Sequence, residues 1–323
     1  MKTIIQKIND YSNNIFIKRE DLLPFSFGGN KVRIAQEYFD DMEQKGGNCI
    51  IGYGNARSNL CRVIANLSYM KGNACHIISP ADDNGDRLNT NNSFIINACK
   101  AVLHACNKTD VAETVEKVLA DCKEQGYKPY YIYGDKYGKG NDAVPVRAYA
   151  KIYYEIFKQA KSFGIRFDYI FLSTGTGMTQ AGLIAGQSIY GGVEKIIGIS
   201  VARTAKQEIN VINNYLDAYC KEVEIKKPSR KNIYLQDQYL CGGYGKYDKN
   251  ISNTINKAMK EIGIPLDPTY TGKGYYGMTR YLKENNIRNK NILFIHTGGV
   301  PLFFDNISLL TKEEADKNEN YVC

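Results

Sequence analysis

The chain has 323 residues, 43% of them hydrophobic and 24% charged, proportions that exclude a disordered chain. Lys and Arg number 42 against 34 Asp and Glu, a net charge of +8 that reads first as a solvated surface and next as an attraction for small anionic ligands. The densest basic stretch, KKPSRK (226–231), lacks interleaved aromatics and reads as a surface loop, not a nucleic-acid site. No apolar run approaches the ~20 residues of a membrane span. The opening MKTIIQKINDYSNN breaks its apolar stretch with charged and polar residues, so it does not read as a secretory signal and a cytoplasmic protein is expected.

Strand-like apolar runs recur along the chain, each closed by Gly, Asn or Pro. They are IFIKRE (15–20), NCIIGYG (48–54), ACHIISP (74–80), PYYIYGD (129–135), YIFLSTGTG (169–177), KIIGISV (195–201) and NILFIHTGG (291–299). Helical periodicity lies between them, over 31–44, 59–70, 109–125, 147–163 and 180–190. Strands alternating with helices predict right-handed βαβ units, a mainly parallel sheet and an α/β fold. In such sheets ligands sit beyond the carboxyl ends of the strands, where four Gly-rich turns fall. These are Gly28-Gly29-Asn30-Lys31, the turn at 52–58, Gly175-Thr176-Gly177-Met178-Thr179, and Thr297-Gly298-Gly299.

Nine cysteines occur without a CxxC pair, which disfavours zinc-finger and thioredoxin readings and fits free, mostly buried thiols. His76, His104 and His296 are the only histidines, too few for a histidine-rich metal site, and no metal is expected.

YIFLSTGTGMTQAGLIAG is the strongest local signal. A strand runs into a Ser/Thr/Gly turn and then a helix, whose unpaired N–H groups and dipole form an anion cup suited to phosphate. The third glycine of a dinucleotide fingerprint is replaced by Gln180, and no Gly-Lys-Ser/Thr of a Walker loop follows. In FGGNKVR, Lys31 opens a helix, and by itself this segment reads first as a solvated lysine; the other reading is that the dipole opposes its charge and favours a neutral amine, the form that Schiff-base chemistry uses. In GYGNARSN, Ser58 is a helix N-cap that also suits a carboxylate. In DPTYTGKGYYG, Tyr270 could stack or move a proton, and Tyr244 in GGYG raises the same question.

Together these segments resemble the pyridoxal-phosphate enzymes of the tryptophan-synthase-β fold, and more narrowly the branch holding D-cysteine desulfhydrase and 1-aminocyclopropane-1-carboxylate deaminase. The ordered set IKREDLLPFSFGGNKVR, GNARSN, STGTGMTQAGL, GGYG, LDPTYTGKGYYG and LFIHTGG covers nearly the whole chain. The resemblance implies two open, twisted, mostly parallel sheets. Residues 1–36 and 150–323 would form the larger cofactor-holding domain, and 37–149 a smaller one closing over the substrate. It implies pyridoxal 5'-phosphate on Lys31, with the phosphate held by Ser173, Thr176, Gly177, Met178 and Thr179. Asn59 is implied at the ring hydroxyl and Ser58 at the substrate carboxylate. Tyr270 is implied on the ring face, Tyr244 near the substrate, and Thr271 and Thr297 at the pyridine nitrogen.

Two hydroxyls at that nitrogen resemble the desulfhydrase pattern, where the deaminase branch has a Glu and an apolar residue. The implied reaction is β-elimination on a small amino acid, D-cysteine giving pyruvate, sulfide and ammonia. Lys31 or Tyr270 would take the Cα proton. A homodimer is implied. The chain departs from the family at Arg57 and Leu60, in Arg57-Ser58-Asn59-Leu60, and at Ile34, where a lysine is usual. Lys18 or Arg33 would then replace a phosphate contact. Arg57 points to a substrate with a second acidic group. The competing readings are ring-opening deamination, β-replacement, and a degenerate homologue that only binds an anionic ligand.

Overall fold

A computed structural model of the protein describes residues 1–8, 12–81 and 89–311; Cys323 lies outside them. Runs rich in β-branched and aromatic residues, closed by turn formers, make the strands. In chain order these are β1 (Ile5–Ile8), β2 (Asn14–Arg19), β3 (Cys49–Tyr53), β4 (Ala74–Pro80), β5 (Val102–Cys106), β6 (Pro129–Tyr131), β7 (Tyr169–Thr174), β8 (Lys195–Ser200), β9 (Tyr234–Gln236) and β10 (Asn291–His296). All seven expected strands are present, and β1, β5 and β9 are additional. The helices are α1 (Asn30–Gln44), α2 (Asn59–Lys71), α3 (Asn91–Ala98), α4 (Val111–Glu124), α5 (Val144–Ser162), α6 (Met178–Tyr190), α7 (Ala205–Glu222), α8 (Lys249–Ile262), α9 (Thr271–Glu284) and α10 (Val300–Phe304).

The strands build two sheets, one of six in the order β1-β2-β10-β7-β8-β9 and one of four in the order β5-β4-β3-β6. Every pairing is parallel except β1 with β2. Central β10 buries Ile292, Leu293, Phe294 and Ile295 completely, as a strand covered on both faces must. One apolar core runs from Ile50 and Ile51 of the smaller sheet to Leu172 and Leu293 of the larger. The strands of the four-stranded sheet all lie within 49–131. The expected divisions at 36/37 and 149/150 fall inside α1 and α5, each a continuous helix.

Helix α6 is pinned by close approach to α5. A Cβ on Gly182 would stand 2.5 Å from Tyr149 Cβ, and one on Gly186 would stand 2.5 Å from Tyr153 Cβ. Only glycine lets the two backbones meet this closely. The contact fixes where the N-terminus of α6 points. No helix among the described residues is long and apolar enough to cross a membrane.

Candidate active site

The carboxyl ends of β3, β4, β7, β8 and β10 converge on a cavity of about 760 Å³. Lys31, Arg57, Ser58, Asn59, Ser173, Thr176, Gly177, Thr179, Tyr244, Tyr270 and Thr297, eleven of the thirteen residues expected at the site, line it. Met178 and Thr271 do not. The Met178 side chain is in the core, which leaves its backbone as the part that can reach a ligand.

Lys31 is the second residue of α1. The Asn30 N–H donates to Thr297 O at 3.0 Å, and Asn30 Nδ2 donates to Thr179 Oγ1 at 2.8 Å. Three of the Gly-rich turns are thus tied at the point where Lys31 enters the cavity. Its Nζ lies 3.4 Å from Thr176 Oγ1. Burial lowers its pKa to about 8, against a smaller upward pull from the Glu208 carboxylate. The direction is the one expected at a helix start, but the dominant cause is desolvation.

The anion cup is the turn between β7 and α6. Gly177, the N-cap, has φ +76°, and no side chain caps the helix. A Cβ there would strike Ile212 at 2.9 Å. Thr176 and Thr179 offer hydroxyls at its rim. Ser173 lines the cavity too, and its hydroxyl donates to Tyr270 O at 2.9 Å, which anchors the Tyr270 segment. Arg203, just past β8, also lines the cavity. Its Nη1 bonds Gly175 O and, at 2.8 Å, Glu208 Oε2.

The expected replacements for the missing lysine do not reach the cup. Lys18 is buried against Glu155, Gln159 and Thr3 O, and Arg33 pairs with Glu20. Both are consumed by a buried ion network under α5, while Ile34 is wholly buried in the core. Arg203 is a cation that the sequence reading missed, as are Lys108 and Lys246 in the same lining. The signal for Arg203 was its place after a strand whose carboxyl end faces the ligand.

On the opposite wall Ser58 caps α2, its Oγ accepting from Cys61 N–H at 3.2 Å. Asn59 lines the cavity, and its Oδ1 accepts from Asn92 Nδ2 at 3.0 Å, a bond that does not use its own amide donors. A helix start with such donors suits a carboxylate.

Tyr244 and Tyr270 share a hydroxyl–hydroxyl hydrogen bond. Burial, reinforced by Tyr244, holds the Tyr270 phenol well above its ordinary pKa. Tyr270 therefore stays protonated at neutral pH. The two threonines differ. Thr297 faces the cavity, whereas Thr271 Oγ1 donates to the buried Asp267 Oδ2 at 2.8 Å and accepts from Asp267 N–H at 2.9 Å.

Residues 2–298 match the family described as pyridoxal-phosphate dependent enzyme. The chain belongs to that family. Its fold is that of the tryptophan-synthase-β-like members, two mostly parallel sheets flanked by helices. Among solved structures it is similar to an ACC deaminase homologue, at TM-score 0.83 and 27% identity, over 96% of this chain and 94% of that one. It shares its fold with O-ureido-L-serine synthase, at TM-score 0.66 and 14% identity over 98% and 94%. It also does so with a hydrogen sulfide-producing enzyme from Fusobacterium nucleatum, at TM-score 0.63 and 17% identity over 92% and 94%.

The cavity of this family member fits the cofactor its family uses. A buried amine of lowered pKa stands next to a glycine cup that carries hydroxyls, an uncapped helix start and an arginine.

Proposed function

We propose that the protein is a pyridoxal-phosphate dependent lyase that eliminates a Cβ leaving group from a small amino acid. With D-cysteine and water the products are pyruvate, ammonia and hydrogen sulfide. The observation that carries this reading is a cavity in which Lys31, its pKa lowered to about 8, shares the lining with hydroxyl groups and with no carboxylate. Thr297 faces the cavity, and among the described residues no Asp or Glu does. A hydroxyl gives a milder electron sink than a carboxylate would, and that suffices when a good leaving group such as thiolate sits on Cβ.

Lys31 would hold the cofactor's carbonyl carbon, the α6 cup its phosphate, and Tyr270 its ring face. When bound there, the cofactor supplies the electron sink for a Cα carbanion. The protein's own groups do the rest. Ser58 and the start of α2 hold the substrate carboxylate. Lys31 takes the Cα proton, since about a tenth of an amine with pKa near 8 is neutral at pH 7. The Tyr270–Tyr244 pair keeps a proton on oxygen, ready for the departing sulfur.

A second reading, an acidic amino acid or ring-opening deamination, draws on Arg57 in the cavity wall and on the likeness to the ACC deaminase homologue. The test offers the holoenzyme D-cysteine, L-cysteine and 1-aminocyclopropane-1-carboxylate. Sulfide and pyruvate in equal amounts from D-cysteine support the proposal. A four-carbon keto acid from the cyclopropane with no sulfide from either cysteine overturns it in favour of deamination.

A further inference from the structure

Cys49, His76 and Cys122 stand far apart along the chain, on β3, β4 and α4, and none lines the cavity. In the β3–β4 ladder Cys49 is opposite Ala74 and Ile51 opposite His76. Cys49 and His76 therefore sit two residues out of register, on one face of the sheet. Helix α4 brings Cys122 down onto that face. The two Sγ atoms lie 3.7 Å apart. One ligand atom from each of the three residues lies within 4.8 Å of the others, and all three residues are buried.

These are the dimensions of a coordination site. A tetrahedral zinc ion with Zn–S bonds of about 2.3 Å holds its sulfurs about 3.8 Å apart. A ligating histidine is oriented by the hydrogen bond that its other ring N–H donates to an outer partner. His104 of β5 stands in that relation to His76, with Nε2 2.9 Å from His76 Nδ1 and the rings stacked at 5.1 Å. The Asp121 carboxylate adds negative potential at both imidazoles.

We propose that Cys49, His76 and Cys122 bind a thiophilic divalent cation, zinc foremost, which clips α4 to the four-stranded sheet. The ion forms bonds to two sulfurs and one ring nitrogen, and the two thiol protons leave to solvent. A divalent ion on two thiolates carries no net charge, the state that an apolar surrounding tolerates. Three protein ligands leave one coordination position for water. The proposal does not depend on the cofactor reading.

The test titrates Co²⁺, as a coloured probe, into the full chain loaded with pyridoxal phosphate. The expected result is one equivalent bound, with a near-ultraviolet thiolate-to-cobalt band and the visible bands of a tetrahedral ion. The C49S/C122S double variant should lack these bands and keep its cofactor absorbance, because both residues lie outside the cavity. His104→Ala should weaken binding about 10- to 100-fold. A wild type without the bands, or a double variant that retains them, overturns the proposal. Should the double variant fail to fold, the wild type alone decides: two protons released per cobalt support the site and none overturns it.

Discussion

The phenolic oxygens of Tyr244 and Tyr270 lie 2.6 Å apart across the cavity wall. One ring comes from a glycine-rich loop and the other from the N-cap of α9, so the bond joins two separately positioned segments. Tyr270→Phe removes the proton donor without changing ring area. We expect kcat for D-cysteine to fall about 100- to 10,000-fold, the range of a lost general acid, with little change in cofactor affinity. Tyr244→Phe should cost less, because Tyr270 keeps its own proton. Steady-state kinetics of both variants checks this, and an unchanged kcat in Tyr270→Phe would remove it from the chemistry.

The Tyr244 loop is held from below by Lys273. This fully buried lysine donates to Leu240 O at 2.7 Å and Gly243 O at 2.5 Å. The loop needs the support, since Cys241, Gly242, Gly243 and Gly245 all have positive φ. Lys273→Met leaves two carbonyls without their donor, a loss of about 1–3 kcal/mol in stability. As the loop loosens, KM for the amino acid should rise several-fold while cofactor affinity changes little. Denaturant unfolding and the split between KM and kcat measure the two effects.

How far the sequence could be read follows from where its signals are local. The strands with long apolar runs were legible, β7 and β10 above all. The three-residue β9 and the exposed edge strand β5 carry too little periodicity to stand out. Helix α8 went unread because its buried face has few apolar residues, Ile251, Ile255 and Ala258, with the polar Asn256 among them in a polar segment. Lys31, Ser58 and the α6 cup were legible because their chemistry follows from a turn and a helix start in one stretch of chain. Arg203 was not, since one arginine after a strand is ordinary until the cup beside it is seen. Thr271 was placed by resemblance alone, and its buried partner Asp267 is a tertiary fact. Cys49 and Cys122 meet across 73 residues, which no local pattern announces.

Arg203 joins the cup to Glu208, and the pair supports a prediction on affinity. Arg203→Gln should weaken pyridoxal phosphate at least about tenfold, the worth of a charge-assisted contact. The affinity for pyridoxal, which lacks the phosphate, should stay the same. Equal losses for both ligands would mean that Arg203 shapes the cavity without serving the phosphate. Glu208→Gln removes the group that pulls the Lys31 pKa up, so the amine should titrate still lower.

The lowered Lys31 pKa also makes a stability prediction for the cofactor-free protein. The folded chain gives up the Lys31 proton near pH 8, whereas the unfolded chain keeps it to about its ordinary 10.5. Between those values the unfolded state binds more protons, so stability attributable to this group rises with pH over that window and is lowest below pH 8. Lys31→Met should therefore stabilise the cofactor-free protein at pH 7, and the gain should shrink as pH climbs from 8 to 10.5. Denaturant midpoints of both proteins across this range give the answer, and a gain independent of pH would contradict the assignment.

Two lysines in this chain, Lys31 and Lys273, have pKa values lowered to about 8. Only Lys31 lines the cavity, while Lys273 is committed to two carbonyls. Borohydride reduction of the pyridoxal-phosphate-loaded protein, followed by digestion and peptide mass mapping, tells them apart. The expected result is one cofactor mass per chain, on the peptide that contains Lys31. A cofactor mass on Lys273, or on no lysine, would contradict the central assignment.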